Sequence, residues 1–258
     1  LLSQSGETKD LHRCIEIAKQ NNLFTIGLVN VVDSLIAREV DCGCYLNSGK
    51  EVAVASTKSF TSQVILMSMI AIWFSQNYNI NKEKRIQYIK DLNCLDNGVG
   101  ELFLDLETNA ENNVHLFDGN SCFILGKGHN ESLAREASLK IKEISYIHSE
   151  AYSSSSLKHG PFALLCDKFP VVLIMPNDKH FDKNMNAYNE IKSRNANVVV
   201  ITNHKINDIE NVIYTPYNDT YNSLLIIIQL QMLAYKLSVR RGINPDIPKN
   251  LAKVVTVE

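Results

Sequence analysis

The chain has 258 residues, a length for one or two domains, and 45% of them are apolar, which is ample for a buried core and excludes a disordered polypeptide. With 26 basic and 28 acidic residues the net charge is −2, so composition makes no case for nucleic acid or an anionic membrane, and any phosphate has to be recognised locally. The six cysteines, Cys14, Cys42, Cys44, Cys94, Cys122 and Cys166, form no C-x-x-C pair and lie at no metal-ligand spacing with histidine, so they read as reduced core thiols of a cytoplasmic protein with no metal site and no cofactor.

In chain order, Leu1-Leu2 reads as the end of a strand whose beginning is missing, SQSGET as a polar turn, DLHRCIEIAKQNN as a helix and FTIGLVN (24–30) as a buried strand. Ser34 to Glu39 fits one more helical turn, and Cys42 to Asn47 a short strand. The small-residue loop SGKEVAVAS then leads into a long apolar helix from about Thr57 to Tyr78, whose 11-residue apolar run at 64–74 is well short of a membrane span. Residues 79–113, rich in charge and Asn, read as a helical linker. Alternation then resumes with CFILG (122–126), a helix through EASLKIKEIS, PVVLIMP (170–176), a polar helix from Phe181 to Arg194, and NVVVITN (197–203). A last helix from Tyr221 to Arg241, its apolar run broken by Gln229 and Gln231, ends at a C-capping Gly242. Apolar strands alternating with helices predict an α/β fold with parallel sheets covered on both faces. The halves echo each other, with Glu51 and Lys58 in one answered by Glu150 and Lys158 in the other, as in a duplicated domain.

Four stretches carry candidate chemistry. SQSGET groups the hydroxyls of Ser3, Ser5 and Thr8 and the amide of Gln4 around Gly6 just before a helix, which suits either a phosphate dianion at the helix N-terminus or an ordinary N-cap from Ser5 or Thr8. EVAVASTK offers Glu51, Ser56 and Thr57 beside small residues, or simply an N-cap at Ser56. In EASLKIKEISYIHSEAYSSSSLKHGP, Lys140 and Glu143 share a helix face on which Ala137, Leu139, Ile141 and Ile144 supply apolar contacts, and His159 sits in a turn before Gly160-Pro161. The bland reading is a solvated face with an i,i+3 ion pair and a solvated turn histidine. Lys253 lies in a tail, NLAKVVTVE, apolar enough to pack. Gly126-Lys127-Gly128 is only a fragment of a dinucleotide fingerprint and does not support NAD binding.

Together, SQSGET, EVAVASTK with SFTSQ, LKIKEISYIHSEAY, LKHGP and NLAKVVTVE resemble the glutamine–fructose-6-phosphate aminotransferase (glucosamine-6-phosphate synthase) family, in that family's order, from Ser3 to Glu258. The resemblance implies two SIS-type doubly wound parallel-sheet domains, the first truncated at its N-terminus: residues 1–80, a helical linker 81–113, a second SIS domain 114–242 and an active-site tail 243–258. It implies that Ser3, Gln4, Ser5 and Thr8 hold the substrate phosphate, that Val54, Ser56 and Ala252 line the sugar site, and that Glu51 supports it. Glu143 would be the C1–C2 base, Lys253 the Schiff-base lysine, His159 the ring-opening residue, and Lys140 a contact to the sugar. Substrate and product would be fructose 6-phosphate and glucosamine 6-phosphate, with ammonia from a glutaminase domain missing here. A homodimer in which His159 serves the neighbouring subunit is also implied. The run of serines before LKHGP, Lys249 for Arg and Val254 for Ser depart from the family's usual pattern. A non-catalytic SIS sugar-phosphate sensor and an SIS deaminase or deglycase are the alternatives.

Overall fold

A computed structural model describes residues 1–253, so the last five residues of the NLAKVVTVE tail lie outside the described residues. The chain forms two compact units, residues 1–85 with the tail from Asp246 onward, and Ile86–Pro245.

In the first unit, β1 (Leu2–Ser3), α1 (Lys9–Gln20), β2 (Ile26–Val29), α2 (Leu35–Glu39), β3 (Cys42–Tyr45) and α3 (Lys58–Asn77) follow one another. The strands pair in parallel in the order β1-β2-β3, with Leu2 opposite Leu28 and Ile26 opposite Cys42. Parallel neighbours need a crossover, and α1 and α2 supply it. Ile15, Val29 and Ile36 form the small core beneath them.

In the second unit α5 (Leu95–Val114) follows α4 (Lys82–Asn93), within which the division between units falls. Then come β4 (Ser121–Gly126), α6 (Asn130–Ser145), β5 (His148–Ser153), β6 (Pro170–Ile174), α7 (Phe181–Lys192), β7 (Asn197–Thr202), β8 (Val212–Tyr214) and α8 (Asn222–Arg240). The five-stranded parallel sheet has the order β5-β4-β6-β7-β8, so the chain reverses direction across the sheet between β4 and β6. Ligands of such sheets bind beyond the carboxyl ends of the strands near that reversal. Phe123, Leu125, Val171, Leu173, Val198 and Val200 make a core that is almost wholly shielded from solvent. α8 has the length and apolarity of a membrane-crossing helix, but Leu225, Ile226, Ile227, Leu230 and Leu233 are buried, and the helix packs on α5 and α6.

Three expectations differ from the structure, and one strand was not foreseen. The stretch 81–113 is helical, but from Ile86 it belongs to the second unit, because Leu95, Leu102, Leu106 and Ala110 of α5 are buried. Five of the six free cysteines are exposed, and only Cys122 is a core thiol. Leu139 is 43% exposed, so it does not share the buried face of Ala137, Ile141 and Ile144. HSEAYS is a strand, β5, although its sequence lacks an apolar run.

Candidate functional site

The turn between β1 and α1 is built so that its polar groups face each other. Gly6 has φ +68°, and a Cβ there would lie 1.9 Å from Ser34 Oγ, so only glycine fits. Ser3 Oγ accepts the Gly6 N–H at 3.0 Å and shares a hydrogen bond of 3.0 Å with Thr8 Oγ1, while Ser5 Oγ accepts the Glu7 N–H at 3.2 Å. Thr8 occupies the N-cap position of α1 in extended conformation, yet makes no side-chain cap hydrogen bond to that helix. The N-cap alternative for SQSGET is therefore not the one adopted. Glu7 instead turns outward and accepts the Leu35 N–H of α2 at 2.9 Å. Ser34 Oγ, facing Gly6, is buried with no hydrogen-bond partner among the described residues. Gln4 is half-buried beside this turn. Uncapped helical amides, short hydroxyls and no acidic side chain pointing inward suit an anion.

Glu51 is buried ahead of α3 and does the capping expected of Ser56. Its Oε1 accepts the N–H groups of Thr57 (3.0 Å) and Ser59 (3.2 Å), and its Oε2 accepts the hydroxyls of Ser59 (2.7 Å) and Ser56 (3.2 Å). The fifth donor is Lys253 Nζ, 2.8 Å from Oε2. Burial pushes the Glu51 carboxyl up, but the donors, Lys253 first, outweigh it and hold it at about 2. The Val54 N–H donates to Asp246 O at 3.3 Å, a second tie between this loop and the tail. Val54 is half-buried and Ala252 exposed. Tail lysine and loop glutamate, 202 residues apart in sequence, are thus one pair.

In the second unit α6 carries its apolar stripe on Leu133, Ala134, Ala137, Ile141 and Ile144, and Lys140 falls within that stripe at helical spacing. It is 4% exposed, so the solvated-face reading does not hold. Its Nζ lies 2.6 Å from Glu143 Oε2 and 3.5 Å from Glu136 Oε1. Burial, more than the neighbouring charges, raises the Glu136 carboxyl. Glu136 was not singled out from sequence; a glutamate four residues before a lysine at a core position was the available signal. The side chains of Glu136 and Glu143 keep 18% and 21% of their exposure, so both can be reached from outside.

His159 ends a 3-10 turn, Leu157–His159, and is exposed. The loop leading to it is fixed: Ser154 donates its N–H to Gly126 O (2.9 Å) and its hydroxyl to Asn184 Oδ1 (2.7 Å), and Leu157 is fully buried. Gly126 is needed for packing, because a Cβ there would lie 2.1 Å from Asn130 O. Among the described residues no group of three or more His, Cys, Asp or Glu side chains could hold a metal ion.

The profile of the SIS domain family matches residues 1–73 and 115–241. The chain is 50% identical over 269 aligned positions to a protein of Acanthamoeba polyphaga mimivirus named probable glutamine–fructose-6-phosphate aminotransferase (isomerizing), with 100% of this chain and 43% of the relative covered. A protein of Chlorobaculum tepidum, named glutamine–fructose-6-phosphate aminotransferase (isomerizing), is 39% identical with the same coverage of 100% and 43%. The chain thus spans about two fifths of the length of these curated relatives. Among solved structures, the C-terminal domain of glucosamine-fructose-6-phosphate aminotransferase from Francisella tularensis superposes with a TM-score of 0.86 at 30% identity, covering 96% of this chain and 72% of that one.

Proposed function

The chain belongs to the SIS domain family, and from that premise we propose that it is the isomerase module of a glutamine–fructose-6-phosphate aminotransferase, making glucosamine 6-phosphate from fructose 6-phosphate and ammonia. The observation that carries the reading is the triad on α6. A cation buried between two carboxylates contributes little net stability, and its cost is understandable where the groups act on a ligand. The names of the mimiviral and Chlorobaculum relatives point the same way.

In this reading Ser3, Gln4, Ser5 and Thr8, with the uncapped start of α1, take the phosphate, and Val54, Ser56 and Ala252 flank the sugar. His159 of the partner subunit assists ring opening in a cytoplasmic homodimer. Lys253 adds through its neutral amine to the C2 carbonyl of the open-chain ketose, and water leaves as the imine forms. Ammonia then displaces the lysine, and Glu143 takes a proton from C1 and returns one to C2, leaving an aldose with an amino group at C2. Lys140 holds Glu143 in place and contacts the sugar. Glu51, at about 2, is too acidic to serve as a base near neutrality and acts as the anchor of Lys253.

Replacing Glu143 with Gln tests the assignment. Exchange of the C1 and C2 protons with solvent deuterium is expected to fall by at least a hundredfold while fructose 6-phosphate binding stays within a few-fold, from the usual worth of a general base. Near-normal exchange would overturn the role of Glu143. Borohydride trapping of a fructose 6-phosphate imine at Lys253 separates this enzyme from a sugar-phosphate sensor, in which no adduct forms.

A further inference from the structure

Apart from the residues assigned to the reaction, the second unit holds a polar cavity of about 310 Å³. Its walls come from the loops that follow β4 and β5 and from α7, which follows β6. In a parallel sheet these connections share one end, the carboxyl end of the strands, and β4 and β6 flank the point where the strand order reverses. The cavity therefore lies where sheets of this class take their ligands.

Lys127 comes directly after β4, Ser154 and Ser155 directly after β5, and Lys158 in the 3-10 turn beyond them. α7 adds Lys183, Ala187 and Glu190, which its helical repeat brings to one face. Three ammonium groups thus converge on one space. Lys127 donates to the Ser155 hydroxyl, and among the described residues none of the three lysines forms an ion pair with a carboxylate, that of Glu190 included. Lys19, Lys140, Lys236 and Lys253 each do. Like charges around one concave wall repel each other and raise the local potential, which draws in an anion. The frame is set before anything binds. The Ser154 N–H donates to Gly126 O at 2.9 Å and its hydroxyl to Asn184 Oδ1 at 2.7 Å, and Ser154 and Asn184 are 4% and 0% exposed. The loop that bears Ser155 and Lys158 is thereby tied to the helix that bears Lys183, so little order remains to be imposed on binding.

We infer that this cavity binds a phosphorylated sugar, with the phosphate among Lys127, Lys158 and Lys183. The dianion supplies the charge that the three ammonium groups lack. The Ser155 hydroxyl, which accepts from Lys127, keeps its own hydrogen for a phosphate oxygen. Glu190 fixes the other end of the ligand. It stands two turns after Lys183, about 10 Å along the axis of α7, and its carboxylate accepts hydrogens from hydroxyl or amino groups of the sugar. A bare ion has no use for that carboxylate. The site is independent of the proposed reaction, because no residue that lines it has a part there and binding is read without turnover.

Site-resolved amide exchange tests the inference, with glucosamine 6-phosphate and inorganic phosphate as separate probes. Glucosamine 6-phosphate is expected to slow exchange at 154–158 and 183–190, saturably, and more weakly as salt is added. Lys183→Glu, a change at an exposed position, is expected to weaken that effect about tenfold or more while the unfolding transition and the response of residues 3–8 stay unchanged. Glu190→Gln is expected to weaken glucosamine 6-phosphate and not inorganic phosphate. Unchanged exchange at 154–158 and 183–190 overturns the inference. Slowing there that is lost through Thr8→Ala and kept through Lys183→Glu overturns it too, since the effect then spreads from the turn before α1. Inorganic phosphate that binds as tightly as the ester, with Glu190→Gln silent, marks an ion site without sugar recognition and likewise overturns it.

Discussion

Lys140 stands where the spacing of α6 calls for an aliphatic side chain, and its ammonium is tolerated because Glu143 and Glu136 lie within 4 Å. Removing the cation leaves two carboxylates facing each other in a largely shielded place. Lys140→Ala is therefore expected to destabilise the second unit by about 3 kcal/mol, while Lys140→Met, which fills the stripe, recovers part of that loss; chemical denaturation measures both. Glu51 presents the opposite balance, an anion with all its acceptor positions in use. Its carboxyl lies below the ordinary value when folded, so its stabilisation is fully present above about pH 4.5 and is lost as pH falls toward 2. The lowering from 4.5 to about 2 corresponds to roughly 3 kcal/mol. Glu51→Gln should remove most of that slope in acid titrations of stability, and the release of the tail lysine should show as faster acylation of Lys253. The residues of the site were legible in unequal measure. Lys140 and Glu143 could be paired from their spacing of three, whereas the partner of Lys253 could not, because no local rule links residue 51 to residue 253.

Among the elements, strands at the centre of the second sheet were plain in sequence, since β4, β6 and β7 are covered on both faces and read as unbroken apolar runs. β5 and β8 lie at the two edges of that sheet, and HSEAYS and VIY carry no such run, so their strand character comes from pairing with a neighbour. α5 was legible as a helix but not as part of a core, because its polar and acidic residues mask a buried stripe of Leu95, Leu102, Leu106 and Ala110. Leu106 is 3% exposed. Leu106→Ala is expected to cost the second unit about 2–4 kcal/mol, read from its unfolding transition, and to leave amide exchange in α1 and β2 unchanged. An equal loss of protection in the first unit would show that α5 does not belong to the second unit alone.

At the scale of the whole molecule, the fold class could be read from the alternation of strands and helices, but the paired Glu and Lys positions are not equivalent, since Glu51 and Lys58 lead into α3 whereas Glu150 lies within β5 and Lys158 in a turn before β6. The route of the chain could not be read. The first unit is discontinuous: the chain leaves it after Arg85, builds the second unit, and returns at Asp246. Two-domain chains of this size commonly show two unfolding transitions when each unit has its own core. The tail belongs to the first, so a cut between Arg241 and Asp246 should lower that transition and spare the second.

The tie between Lys253 and Glu51 has a bearing on synthesis. A ribosome delivers residue 51 early and residue 253 only after the second unit has emerged, and domains fold as they appear. Any chain broken off before Lys253 leaves the Glu51 carboxylate without its fifth donor. The anchor of the loop ahead of α3 is thus completed only when the tail arrives.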